Sequence, residues 1–157
     1  MGIYAVTGGS SGIGAKTVEY LRAQGHLVYN VDLKNGDIEA NLADPAGRET
    51  VIDRLHALCE NGLDGLVCCA GVSASCSNLK LILSLNYFGT ICLCEGLRDL
   101  LLMRKGHCVV VSSNTISQGA ARMDVVDLLN NHPDENRLLN LMDSYDATKM
   151  ALGAPGF

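Results

Sequence analysis

Ile3-Tyr4-Ala5-Val6-Thr7-Gly8-Gly9-Ser10-Ser11-Gly12-Ile13-Gly14 is the stretch on which the reading of this chain turns. Residues 3–6 form an apolar run of strand length. The pattern over 13–24 is amphipathic, of helix length, and stops at Gly25, a residue suited to a helix C-terminus. Between them stands a turn with glycines at 8, 12 and 14. A strand that opens through such a turn into a helix offers backbone amides and a positive helix end with no Cβ in the way. A pyrophosphate needs those conditions. The spacing is G-x-x-x-G-x-G, which departs from the G-x-G-x-x-G fingerprint. It is also unlike the phosphate loop of NTPases, which has Lys directly after its second glycine. Here Ala15 precedes Lys16 and turns that lysine about 100° around the helix.

Residues 27–31 read as a second strand and 37–40 as a short third one after the Asn35-Gly36 turn signal. Asp44-Pro45 supplies an N-cap and a first-turn proline for a helix to about residue 60, closed by Asn61-Gly62. Residues 66–70 are apolar throughout, as befits a parallel strand buried on both faces. The stretch 79–104 reads as one long helix in which Gly89 and Gly96 permit close packing, and 108–111 as a fifth strand. Strand and helix alternate with short connections, which predicts a doubly wound parallel α/β sheet of about five strands in one domain over 1–157. The pattern changes between 117 and 143, where two short helices, 122–131 and 134–142, are broken at Pro133. We read this as an insertion over the carboxyl ends of the strands, either a lid or a surface excursion.

With 157 residues, 48% of them apolar, the chain suits one domain with a core. Charged residues at 18% and only three prolines exclude disordered and collagen-like chains. Twelve basic and seventeen acidic side chains give −5 with no basic block, so neither a nucleic-acid groove nor an anionic membrane surface is supported. No apolar stretch approaches the ~18 residues of a membrane span. No basic segment precedes an apolar run at the N-terminus, and Val6 stands where a myristoylation motif after Met1-Gly2 wants Ser or Thr. The expectation is a soluble, cytoplasmic protein. Seven cysteines (59, 68, 69, 76, 92, 94 and 108) include no C-x-x-C, and no His stands at ligand spacing from a Cys pair. They read as small hydrophobes in a reducing compartment, with no metal site. The histidines (26, 56, 107 and 132) are scattered and read as surface or turn residues.

Two further features carry chemistry. Asp32 closes the second strand, eighteen residues beyond Gly14. A carboxylate there can accept both adenosine ribose hydroxyls and repel a 2′-phosphate, which favours NAD over NADP, although Lys34 partly offsets that repulsion. Tyr145-Asp146-Ala147-Thr148-Lys149 puts a phenol and an ammonium four residues apart, on one helix face. Free tyrosine titrates near ~10, and a neighbouring cation lowers that value. A phenol so tuned can pass a proton to or from a carbonyl or alcohol oxygen while hydride moves at carbon.

Thr7 to Gly14 matches the T-G-x-x-x-G-x-G turn of the short-chain dehydrogenase/reductase family, and Tyr145 with Lys149 matches its Y-x-x-x-K. The chain resembles the ordinary, non-extended members from residue 1 to about 152. Leu63-Asp64-Gly65-Leu66-Val67-Cys68-Cys69-Ala70-Gly71, Leu85-Asn86-Tyr87-Phe88-Gly89 and the helical insertion are most similar to the bacterial 3α-hydroxysteroid dehydrogenase/carbonyl reductase branch. The resemblance implies a Rossmann-type fold and a catalytic set of Asn86, Ser113, Tyr145 and Lys149. In that set Ser113 orients the substrate oxygen and Asn86 holds a relay water. It also implies an NAD site of Thr7, Gly8, Ser10, Ser11, Gly12, Ile13 and Gly14, with Asp32, Asn41, Leu42, Ala70 and Gly71. Tyr145 and Lys149 complete it, Lys149 binding the nicotinamide ribose. The substrate implied is a small molecule bearing a secondary alcohol or ketone, of hydroxysteroid or carbonyl type, and an oligomer could pair through helix 79–104.

Three departures stand against the family pattern. Cys68-Cys69-Ala70-Gly71 replaces N-N-A-G, and Asn41 replaces the aspartate that contacts adenine. The chain also stops eight residues after Lys149, and Ala154-Pro155-Gly156-Phe157 does not continue a helix. Family members continue with two more strands and a substrate-binding segment. The chain therefore reads as a truncated relative, and the alternative function is nucleotide binding without turnover.

Overall fold

Ala5, Val6, Val31 and Leu66 have no solvent exposure (0%), because the strands that carry them are covered on both faces. A computed structural model describes residues 1–73, 76–113, 123–131 and 134–142. Strands β1 (Ile3–Thr7), β2 (Leu27–Asp32), β3 (Ile38–Glu39), β4 (Gly65–Cys68) and β5 (His107–Val110) form one sheet in the order β3-β2-β1-β4-β5. Every pairing is parallel. Helix α1 (Gly12–Ala23) connects β1 to β2, and α2 (Pro45–Leu58) connects β3 to β4. The chain winds outward in opposite directions on either side of β1. Its neighbours β2 and β4 leave a crevice at their carboxyl ends, where Thr7 is in register with Val31 and with Cys68.

The expected caps are present. Gly25 N–H donates to the Arg22 carbonyl (3.0 Å) and His26 N–H to that of Leu21 (3.2 Å), the paired bonds that close a helix. The Asp44 carboxylate accepts from Ala46 N–H at 3.1 Å with Pro45 in the first turn of α2.

Several element bounds differ from the sequence expectation; β3 is Ile38–Glu39 rather than 37–40, and α2 ends at Leu58 rather than about residue 60. The fourth strand ends at Cys68 rather than residue 70: the Cys69 amide donates to both the carbonyl (3.1 Å) and the hydroxyl (3.2 Å) of Thr7, and the Ala70 amide turns to that hydroxyl (3.1 Å). The single helix expected over 79–104 is four pieces: α3 (Leu79–Ile82), a π-helical segment (Leu83–Gly89), α4 (Thr90–Gly96) and α5 (Arg98–Arg104). The wide turns coincide with Asn86, whose amide is bonded to the Val72 backbone, and the break between α4 and α5 falls at Leu97, with φ −111° and ψ 9°. Gly89 and Gly96 do allow close approach: an added Cβ would lie 3.1 Å from the Leu42 oxygen and 2.4 Å from Ile52 Cδ1 respectively.

The two short helices of the insertion are present as α6 (Met123–Asn130) and α7 (Glu135–Met142), while Pro133 lies outside the described residues. Leu129, Leu138 and Met142 are buried with Leu83 and pack beside Tyr87 and Phe88, so the pair docks on the π-helical segment. Tyr87 Oη donates to the Leu129 carbonyl at 2.7 Å. Among the described residues no helix is long and apolar enough to cross a membrane.

Helix α1 meets Gly8 of the turn that feeds it backbone to backbone at Gly14. A Cβ on Gly14 would stand 2.2 Å from the Gly8 carbonyl oxygen, whereas one on Gly12 would meet nothing within 4 Å. We expect Gly14→Ala to cost about 3 kcal/mol, the upper end of overpacking penalties, because the opposing atoms cannot rotate away. Gly12→Ala, at φ +51°, should cost only about 1 kcal/mol, as a non-glycine residue in the left-handed region does. Urea unfolding of the two variants checks this, and equal losses would contradict the packing argument.

Candidate functional site

Helix α1 begins without a side-chain cap from Ser11, and no acidic residue occupies its first turn. Its first intrahelical bond runs from Ala15 N–H to the Ser11 carbonyl at 2.9 Å. The amides of Gly12, Ile13 and Gly14 therefore precede the helical ladder and carry the positive end of the helix dipole. Gly8 and Gly12 both adopt the left-handed conformation (φ +67° and +51°) that shapes the turn. Lys16 is exposed and pairs with Glu19 at 2.5 Å on the helix surface.

Asp32 ties the end of β2 to this turn. One carboxylate oxygen accepts Ser10 N–H at 2.9 Å and the other accepts Leu33 N–H at 2.7 Å. The Ser10 hydroxyl lies 3.0 Å from the Lys34 carbonyl and 3.1 Å from that of Asn35 as donor. Asn30 Nδ2 donates to the Ser10 hydroxyl oxygen at 3.1 Å. Sequence reasoning passed over Asn30, although a polar residue within an apolar strand was a signal. Across the crevice, Thr7 holds Cys69 and Ala70 through the hydroxyl described above.

These parts enclose a cleft of about 400 Å³. Gly8, Ser11, Gly12, Ile13 and Gly14 line it from the turn, Asp32 from β2, and Asn41, Leu42, Ala70 and Gly71 from the remaining sides. Thr7 and Ser10 brace the cleft from behind and are not among its lining residues. Apolar walls that motif reading did not foresee come from Leu33, Val72, Leu85 and Val111. Asn86 stands behind the Val72 wall: its Oδ1 accepts Val72 N–H and its Nδ2 donates to the Val72 carbonyl, both at 2.9 Å. Ser113 is exposed and follows the lining residue Val111, whose N–H donates to the Cys68 carbonyl at 3.0 Å. Tyr145 and Lys149 lie outside the described residues. No described residue of α6 or α7 lines the cleft.

Arg48 was also missed. It is 3% exposed and grips three parts of the fold at once. Nε donates to the Leu42 carbonyl (2.8 Å), and Nη2 donates to those of Ala43 (3.2 Å) and Ser84 (2.9 Å). Both Glu135 carboxylate oxygens accept from the guanidinium, at 2.6 and 2.8 Å. The available signal was position: Arg48 shares the buried stripe of α2 with Val51 and Leu55.

The cysteines are reduced, and Cys59 behaves as expected: burial pushes its thiol up to about 11. Cys68, Cys94 and Cys108 do not fit the packing expectation alone. Their Sγ atoms lie within 4.8 Å of one another, with Cys94 and Cys108 at 3.5 Å. The hydrogen bond from Cys68 holds the Cys94 thiol below its ordinary range, while that bond and burial push Cys68 up. Burial and the bond to Cys94 push Cys108 up as well.

The parallel sheet, its strand order and the glycine turn opening into α1 define a dinucleotide-binding class of α/β fold. The model of the short chain dehydrogenase family matches residues 3–125, and the chain belongs to that family. A 3-alpha-hydroxysteroid dehydrogenase/carbonyl reductase of Comamonas testosteroni is 37% identical over 116 residues, covering 72% of this chain and 44% of that protein. A coniferyl-alcohol dehydrogenase of a Pseudomonas species is 32% identical over 126 residues, covering 76% and 47%. The crystal structure of the 3-alpha-hydroxysteroid dehydrogenase from Pseudomonas sp. B-0831, complexed with NADH, is similar with a TM-score of 0.87 at 38% identity. That likeness covers 96% of this chain and 60% of the other. The chain spans about half the length of the curated relatives it matches.

Removing the Arg48 guanidinium leaves three backbone carbonyls and a carboxylate without their donor. Arg48→Met should lower the unfolding free energy by about 3–5 kcal/mol, the usual cost of breaking a buried pair on one side. Chemical denaturation measures it, and a loss under about 1 kcal/mol, as for a surface pair, would refute this role.

Proposed function

We propose that this chain binds NAD in the cleft and serves an oxidoreductase reaction that interconverts a secondary alcohol and a ketone. We take the chain as a single domain with the insertion over 117–143. The observation that carries the reading is a single cleft joining the uncapped first turn of α1 to the Asp32 carboxylate. The open space at Gly12 suits a phosphate beside the amides of Gly12, Ile13 and Gly14. Asp32 keeps acceptor capacity beyond its two backbone bonds, since a carboxylate has about four lone-pair sites. It would take the adenosine ribose hydroxyls and repel a 2′-phosphate, hence NAD rather than NADP. Asn41 and Leu42 would flank the adenine, and Ala70 and Gly71 the far wall.

When bound, the nicotinamide accepts or supplies the hydride. Tyr145 would hold the transferred proton at its phenol oxygen, kept acidic by the Lys149 ammonium, which would also bind the nicotinamide ribose. Ser113 would orient the substrate oxygen, and Asn86 would hold the relay water. Support for this set comes from the Y-x-x-x-K spacing, from the bonds of Asn86 to Val72 of the cleft wall, and from the place of Ser113 two residues after the lining residue Val111. The substrate class, hydroxysteroid or similar carbonyl compound, follows the name of the Comamonas relative.

Two measurements test the reading. NADH fluorescence titration of Asp32→Ala should show affinity weakened about 10- to 100-fold, the worth of a hydrogen bond to a charged group, with discrimination against NADPH lost. An unchanged preference would overturn the assignment of Asp32. Tyr145→Phe should abolish ketone reduction and leave NADH binding within about twofold, as expected of a proton-transfer group. Retained turnover would refute the role of Tyr145.

A further inference from the structure

Cys68 ends β4 and Cys108 lies in β5, where Cys68 is in register with Val110 and Cys108 with Leu66. Residues two apart on a strand share a face, so both sulfurs stand on one side of the sheet, and α4 brings Cys94 to them. The three Sγ atoms lie within 4.8 Å of one another. None of the three cysteines lines the nucleotide cleft. We propose that Cys68, Cys94 and Cys108 form a binding site for one copper(I) ion.

The geometry suits three-sulfur ligation. With metal–sulfur bonds of about 2.3 Å, sulfurs in a trigonal plane stand about 4 Å apart. The present spacing therefore reaches that arrangement by small side-chain rotations. Soft thiolates select copper(I) and zinc among the common ions. Structural zinc takes four protein ligands, and among the described residues no fourth Cys, His, Asp or Glu joins the group. That favours the ion content with three sulfurs. Two strands and a helix hold the ligands, so the site is assembled by the fold rather than by a loop. Cys68 is buried, Cys94 half-buried and Cys108 exposed, which gives the ion a route in from the Cys108 side. Binding needs no electron transfer: each ligating thiol releases its proton to solvent as its sulfur bonds the metal. Three thiolates around a monovalent cation leave two negative charges, and the exposed edge keeps them in contact with water.

The test is an anaerobic titration of the fully reduced chain with copper(I) against a coloured copper(I) chelator. One equivalent should be withdrawn from the chelator. X-ray absorption should show three sulfurs at about 2.3 Å, and thermal stability should rise with occupancy. Cys94→Ser and Cys108→Ser should each lose that equivalent, and Cys76→Ser and Cys92→Ser should keep it. Circular dichroism and NADH binding report separately whether each variant is folded. No withdrawal by the parent chain would overturn the site, as would an undiminished equivalent in folded Cys94→Ser and Cys108→Ser. Zinc that copper(I) fails to displace, bound with a fourth oxygen donor, would overturn the choice of ion.

Discussion

A helix can present a bare amino end to an anion only if its first turn rests directly on the strand that feeds it. In this chain the contact is backbone on backbone. Gly14 lies over the Gly8 carbonyl, and Gly8 lies against the backbone of Ala70 at the end of the neighbouring strand. An added Cβ would stand 2.2 Å from the Gly8 carbonyl oxygen at position 14 and 2.8 Å from the Ala70 backbone at position 8, so a side chain at either would force these elements apart. The Thr7 hydroxyl adds the lateral tie, taking two amides from the segment after β4. The cleft, the uncapped helix end that opens into it and its apolar walls all depend on this approach.

Much of this was legible in the sequence because local pattern and tertiary outcome agree. Strand runs buried on both faces read as continuous apolar stretches, and the capping residues at Gly25 and Asp44 marked helix ends for the reasons they mark them in space. Asp32 was legible because its position after the second strand puts a carboxylate beside the turn. Ten of the residues assigned to nucleotide binding from the family turn and its partners do line one cleft. Tyr145 and Lys149 were legible as a spacing, and that spacing still carries their assignment.

What escaped the sequence is long-range or geometrical. Hydrophobic periodicity over 79–104 does not report wide turns at Leu83–Gly89, where Asn86 pairs with Val72. Beyond the end of β4 the Ala70 amide turns to the Thr7 hydroxyl, 63 residues upstream. The three cysteine sulfurs come from two strands and a helix, so no spacing rule brings them together. Arg48 and Glu135 are 87 residues apart. Each alone reads as an ordinary surface charge, and only the docking of α7 turns the arginine into a buried hub.

That hub joins two parts of the molecule that otherwise have separate tasks. One guanidinium holds the Leu42 carbonyl in the cleft wall and the Glu135 carboxylate on the appended helices. The two modules are thus not interchangeable units. Transplanting the helical pair onto another scaffold would require carrying position 48 along with it, and drift at position 135 would register at Leu42 in the cleft wall.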